Sequence, residues 1–231
     1  MLRQSSYSDQ FTFFQKIRSF DFVLLFCILI LGIISNFSMY STDGGEFLYH
    51  TKSHFIRFII FFTMMIFLSF LSLRFWHSSA YLFYLIVLAF LVWASLYGVT
   101  ASGSQRWINL YFINLQPSEL MKVAIIVCFA RYYHRTQINN IGSFKNIILS
   151  IMILIMPIVL VLSQPDLGTS ILIGASGVVV LWLAGLNIKY FFYSSLALLI
   201  SLPFVISFLK PYQKLRVLSF FNPDRDPLGA G

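Results

Sequence analysis

Among the ionisable side chains that stand in or beside otherwise apolar runs are Arg106, Glu119, Lys122 and Asp166. Desolvating a charge is costly, so each needs a partner, a capping role or a polar cavity. Glu119 and Lys122 lie in QPSELMK (116–122). Pro117 suits the first position of a helix, where its missing N–H costs nothing. Glu119 then falls in the first turn, facing the positive end of the helix dipole. Lys122 follows three residues on, on the same face and within reach of an ion pair. Two readings follow: a functional intramembrane pair, or a carboxylate capping a helix at the membrane interface while the lysine snorkels to the head groups.

Asp166 lies in QPDLGTS (164–170) and is the only acidic residue between Glu119 and Asp224. An Asp at a helix N-terminus is a common cap; its other reading is a group lining a polar cavity near the outer surface. Arg106 sits beside Trp107 in GSQRWI (103–108), a pair that suits an interfacial anchor as well as a cavity. Near the end, Leu215, Leu218 and Phe221 or Phe220 recur at helical spacing beside Lys214 and Arg216, with Lys210 just before. That pattern predicts a short amphipathic helix on a membrane surface. Its cations suit a lipid diphosphate, which Arg grips bidentately, or ordinary anionic lipid.

The elements that must position these groups are membrane helices. Of the 231 residues 58% are hydrophobic and 10% charged, with mean hydropathy +0.82. Soluble domains carry roughly 25% charged residues, so this charge deficit excludes a water-facing surface. The formal charge of +8 comes from basic residues scattered singly between apolar runs. That spacing suits loops facing anionic head groups rather than nucleic acid. Cys27 and Cys128 both lie in apolar runs and form neither a disulfide framework nor a CxxC site.

Seven apolar runs are legible, at 21–40, 55–73, 80–99, 117–133, 147–162, 168–186 and 190–209. Each must be helical, since only a helix satisfies its own backbone within lipid. The fifth and sixth form a tight hairpin across Gln164-Pro165-Asp166. The first run is too long for a cleaved signal and should remain as an anchor. Lys and Arg placement puts the N-terminus in the cytoplasm. The basic C-terminal stretch fits six spans better than seven, and seven are kept. The expected layout is a cytoplasmic segment 1–20, a transmembrane helical domain 21–209, and the start of an extracellular loop at 210–231.

GSQRWI, QPSELMK, QPDLGTS and YQKLRVLSFFNPDRDPLGAG (212–231), in this order and spacing, resemble the SEDS family, and its RodA branch more than its FtsW branch. The resemblance covers the chain from its first span onward. It implies an all-α, polytopic membrane bundle, with about seven of the family's ten helices here. It also implies a bacterial inner-membrane enzyme of cell elongation and shape that polymerises lipid II beside a class B penicillin-binding protein. Glu119 and Lys122 match the family's intramembrane pair, Asp166 its QPD carboxylate, Arg216 its Y-Q-x-x-R arginine, and Arg106 its Arg-Trp. The family's essential carboxylate belongs to the loop beyond Gly231, so the catalytic residue is expected outside this sequence. Asp224 and Asp226 match a different part of the pattern. A fragment, a truncated product or half of a split protein would each look like this.

In that chemistry a base deprotonates a sugar hydroxyl while cations stabilise the departing diphosphate. Lys210, Lys214 and Arg216 are candidates for the diphosphate side. No ligand cluster demands a metal, and a divalent ion stays open. Two rivals remain: a transporter or lipid II flippase with Glu119, Lys122 and Asp166 along its path, and a non-catalytic scaffold for a penicillin-binding protein.

Overall fold

The structure, a computed structural model, describes residues 13–101, 104–109 and 114–208. It forms two compact units, divided between Val92 and Trp93.

The first unit opens with a short helix, α1 (Phe13–Arg18), followed by α2 (Phe22–Thr42), α3 (Tyr49–Ser69) and most of α4 (Leu73–Tyr97). Asp21 starts α2 by accepting the Leu24 N–H at 3.0 Å, the N-cap its side chain favours. The α2–α3 turn uses Gly44 and Gly45 at φ 76° and 83°, where a Cβ would be strained. Asp43 then reaches across that turn. Its Oδ2 accepts from the Thr51 backbone N–H at 2.8 Å and the Thr51 hydroxyl at 2.7 Å. Leu48 offers α3 no side-chain cap, so Asp43 does that work from outside the helix. Deeper in the hairpin Ser35 Oγ lies 3.1 Å from His54 Nε2, His54 Nδ1 lies 3.2 Å from Asn36 Oδ1, and Asn36 Nδ2 donates to the Gly32 carbonyl at 2.8 Å. Gly32 is buried against the Phe58 ring, with no room for a Cβ.

The second unit contains a feature absent from the helical reading. Strands β1 (Val99–Ala101), β2 (Ser104–Asn109) and β3 (Asn114–Leu115) form an antiparallel meander in the order β1-β2-β3. Val99 faces Trp107, and Ile108 faces Leu115. These residues lie between apolar runs, and strand pairing satisfies backbone groups that no helix serves there. Helices α5 (Pro117–Arg135), α6 (Phe144–Ser163), α7 (Leu167–Leu183) and α8 (Ile188–Phe208) follow. The core is Met121, Ala124, Ile125, Cys128 and Phe129 of α5 against Val161 of α6 and Ile173 of α7, all buried. At Gly177 a Cβ would stand 2.5 Å from Leu154 and 3.2 Å from the Phe129 ring, so α7 packs closely only with glycine there. Tyr132 donates to Asn146 at 2.8 Å, and Tyr133 shares a 2.5 Å bond with Ser150, clamping α5 to α6.

The helices α2–α8 thus take up the seven apolar runs, and the architecture is an all-α membrane bundle carrying one small sheet. Among the described residues four of them (α2, α3, α4 and α6) are long and apolar enough to cross a membrane, by length and composition. Helix α5 is not among these, since it carries Glu119, Lys122, Arg131 and Arg135. Eight of its nineteen residues are buried, so protein rather than lipid covers much of it. The helices also outrun the apolar slabs. Helix α3 begins at Tyr49 rather than 55, because Asp43 holds its polar first turn. Helix α4 begins at Leu73 rather than 80, with Ser72 Oγ accepting the Phe75 N–H at 3.2 Å.

The hydrogen bonds from Thr51, the hydroxyl's first and then the backbone's, hold the Asp43 carboxyl below its ordinary value of 3.8. A carboxyl depressed by folding contributes stability above its unfolded value and loses it as pH falls through the folded one. Amide-exchange protection at Thr51 should therefore drop in acid, below the ordinary carboxylate range. In Asp43→Asn that drop should be absent; an unchanged acid profile in this variant would remove Asp43 as its cause.

Candidate functional site

The sheet and two helix starts converge on one carboxylate. Arg106 is placed on β2 by the register with β1. Gln116 is the single residue between β3 and α5. Asp166 is the N-cap of α7, where its Oδ1 accepts the Thr169 N–H at 3.2 Å. Its Oδ2 accepts from Arg106 Nη1 at 3.0 Å, Thr169 Oγ1 at 2.9 Å and Gln116 Nε2 at 3.3 Å. Asp166 is thus the helix cap that its sequence position suggests, and it also holds a cation. Arg106, sixty residues away in sequence, is its ion-pair partner.

That arrangement decides what the carboxyl can do. An ionised carboxylate has about four acceptor positions, and four donors crowd onto this one, three on Oδ2 and one on Oδ1. Asp166 is therefore placed to orient a guanidinium rather than to take a proton from a substrate. Arg106 is less fully used. Its side chain is 24% exposed against 9% for Asp166, and its Nε is buried with no hydrogen-bond partner among the described residues. The exposed part of the guanidinium is what an incoming anion could reach.

Glu119 and Lys122 form their i,i+3 ion pair at 2.8 Å, with side chains 54% and 25% exposed. The pair is present, but at the surface of this chain, with Glu119 toward the outside. Among the described residues no ion pair joins it to Arg106 and Asp166. Lys210, Lys214 and Arg216, and the amphipathic helix read around them, lie outside the described residues. Gln116 and Thr169 were not singled out as site groups. Thr169 carries a signal, since it sits three residues after a capping Asp; Gln116 carries none, because its bond depends on the hairpin's fold.

A β-meander and two helix N-termini holding a shared ion pair, on helices built for lipid, define a polytopic helical membrane protein with a polar site at one end of its second unit. The chain belongs to the FtsW/RodA/SpoVE family of cell cycle proteins, whose model matches residues 17–231; this is the SEDS family that its motifs resemble. It is 35% identical over 192 residues to a probable peptidoglycan glycosyltransferase FtsW of Buchnera aphidicola, covering 81% of this chain and 54% of that one. It is 32% identical over 222 residues to the peptidoglycan glycosyltransferase MrdB of Escherichia coli K12, covering 95% and 59%. The chain therefore spans little more than half the length of these relatives. Among solved structures it resembles a chain of a peptidoglycan synthase complex that coordinates polymerization and crosslinking, with TM-score 0.77, 26% identity, and coverage of 91% of this chain and 61% of that one. The rod shape determining protein RodA of Thermus thermophilus shares its fold, with TM-score 0.67, 22% identity, and coverage of 79% and 59%.

The two ion pairs should differ in their weight on stability. Asp166→Ala strands a part-buried Arg106 and uncaps α7, a loss of roughly 3 kcal/mol, while Asp166→Asn keeps the cap and should lose less. Glu119→Gln breaks an exposed pair, a change of about 0.5 kcal/mol. Thermal unfolding in detergent measures all three, and equal losses at Asp166 and Glu119 would contradict this ranking.

Proposed function

We propose that this chain serves peptidoglycan synthesis as part of a RodA-like glycosyltransferase of cell elongation, handling lipid II beside a class B penicillin-binding protein. The observation that carries the reading is the Arg106–Asp166 pair, which presents a partly exposed guanidinium and no free carboxylate. Polymerising lipid II requires stabilisation of a departing diphosphate, and fixed cationic donors at developing negative charge are the strongest aid to such a step. The names of the relatives support glycosyltransferase chemistry. They include both FtsW and MrdB, so the RodA assignment rests on GSQRW and DPLGAG.

In this reading Arg106 binds a phosphate oxygen and Asp166 fixes its plane. Lys210, Lys214 and Arg216 extend the cationic surface, and Glu119 with Lys122 forms a second polar group on α5. None of the carboxylates described here is assigned the proton-abstracting role. The bond between Arg106 and Asp166 supports the topology as well. It sets the loop after the third apolar run and the turn after the fifth at one end of their unit, as an N-terminus in the cytoplasm and a site at the outer surface of the inner membrane require. The layout 1–20, 21–209 and 210–231 is kept as part of this proposal.

Orientation is tested by a membrane-impermeant maleimide added from the periplasm to variants lacking Cys27 and Cys128. It should label Glu46→Cys and spare Gly142→Cys; the reverse would invert the bundle. The chemistry is tested by binding of undecaprenyl diphosphate to the purified chain. Arg106→Ala should weaken it on the order of tenfold, with Arg106→Lys in between. Binding unaffected by Arg106→Ala would remove Arg106 from the diphosphate site.

A further inference from the structure

Gln116 occupies the residue before α5, from which a side-chain oxygen ordinarily takes a helix N–H. Its side chain makes no such bond. Its amide nitrogen instead donates to Ser118 Oγ at 3.1 Å and to Asp166 Oδ2 at 3.3 Å. Turning the amide over would set its oxygen against the carboxylate, so repulsion fixes the nitrogen inward. Through its backbone Gln116 joins β3 to α5, and through its head it grips the oxygen that also holds Arg106.

We propose that Gln116 is a positioning residue for Arg106, acting through Asp166. Asp166 must cap α7 and orient a guanidinium with the same carboxyl group. Thr169 alone supplies one donor to each oxygen, and that satisfies the cap without defining the plane the arginine needs. Gln116 adds a third donor to Oδ2, from the opposite helix start. Rotation of the carboxyl would break this bond, so the plane of the carboxylate, and with it the direction of Arg106 Nη1, is tied to the start of α5. Ser118 is buried and its hydroxyl holds the second amide proton, which keeps Gln116 in a single rotamer. The ligand class is a diphosphate ester, and that part of the inference rests on the function proposed above.

The test uses the full chain in detergent and two readouts. Reaction of Arg106 with phenylglyoxal, followed on its peptide by mass spectrometry, reports how firmly the guanidinium is held. Gln116→Leu removes the donor at similar size and should raise that rate about fivefold, the effect of one modest hydrogen bond. Gln116→Asn, one methylene short of Asp166, should give a similar rise and serves if the leucine variant does not fold. Gln116→Glu should give a larger rise, and Gln116→Glu combined with Asp166→Asn should return the rate to within about twofold of the parent, because the negative charge has only crossed the same contact. A group that merely fills space would not show this rescue. Parent-like protection in both Gln116→Leu and Gln116→Asn would overturn the proposal. Undecaprenyl diphosphate binding separates the two claims. If Gln116→Leu frees Arg106 yet neither it nor Arg106→Ala weakens binding, the positioning role stands and the lipid reading falls.

Discussion

The second unit depends on how a single negative charge is shared. Asp166 meets the start of α7, where four backbone N–H groups lack helical partners, and at the same point it faces the fixed cation of Arg106. Removing either claim on the carboxylate would leave its charge poorly matched at a largely buried position. Everything nearby serves that sharing. The β-meander delivers Arg106, Pro117 starts α5 close enough for Gln116 to reach, and Thr169 binds both carboxylate oxygens. Gly177 belongs to the same scheme from a distance, because only a close approach of α7 to α5 and α6 brings its first residue to this meeting point.

The contrast with Glu119 and Lys122 is instructive. Both pairs combine one acid with one base at a bond length near 3 Å. One is local, formed within a helix turn whatever the rest of the chain does. The other joins residues sixty apart and exists only once the sheet and both helices are in place. The local pair reports helix formation, and the distant pair reports the fold.

This difference also marks what the sequence could reveal. Apolar runs of bilayer length made the helices legible, and the lone acid in QPDLGTS made its capping role legible, because both are local consequences of residue type. The partner of Asp166 was not legible: Lys52, Arg57, Arg106 and the basic residues from Lys210 onward all stand on the outer side by the same reading, and spacing cannot choose among them. The meander was missed because its strands are short and set between spans whose hydropathy dominates the pattern. Helix ends were misjudged wherever polar residues continue a helix beyond the slab, as at His50 and Lys52, since hydropathy measures solvent and not hydrogen bonding.

The polar thread between Ser35, His54, Asn36 and the Gly32 carbonyl has a consequence for how α2 and α3 find each other. Two apolar helices in lipid can slide along one another by a turn with little change in contact, since one methyl group resembles the next. The two directional bonds that cross to α3, from Ser35 and Asn36 to His54, cannot follow such a slide. A shift of one turn, about 5.4 Å, would part His54 from Ser35 and Asn36 together and leave their polar atoms facing hydrocarbon. It would also move the Phe58 ring off the only residue without a side chain to obstruct it. The thread and the glycine therefore act as a vernier: many offsets suit the grease, and only one suits the marks.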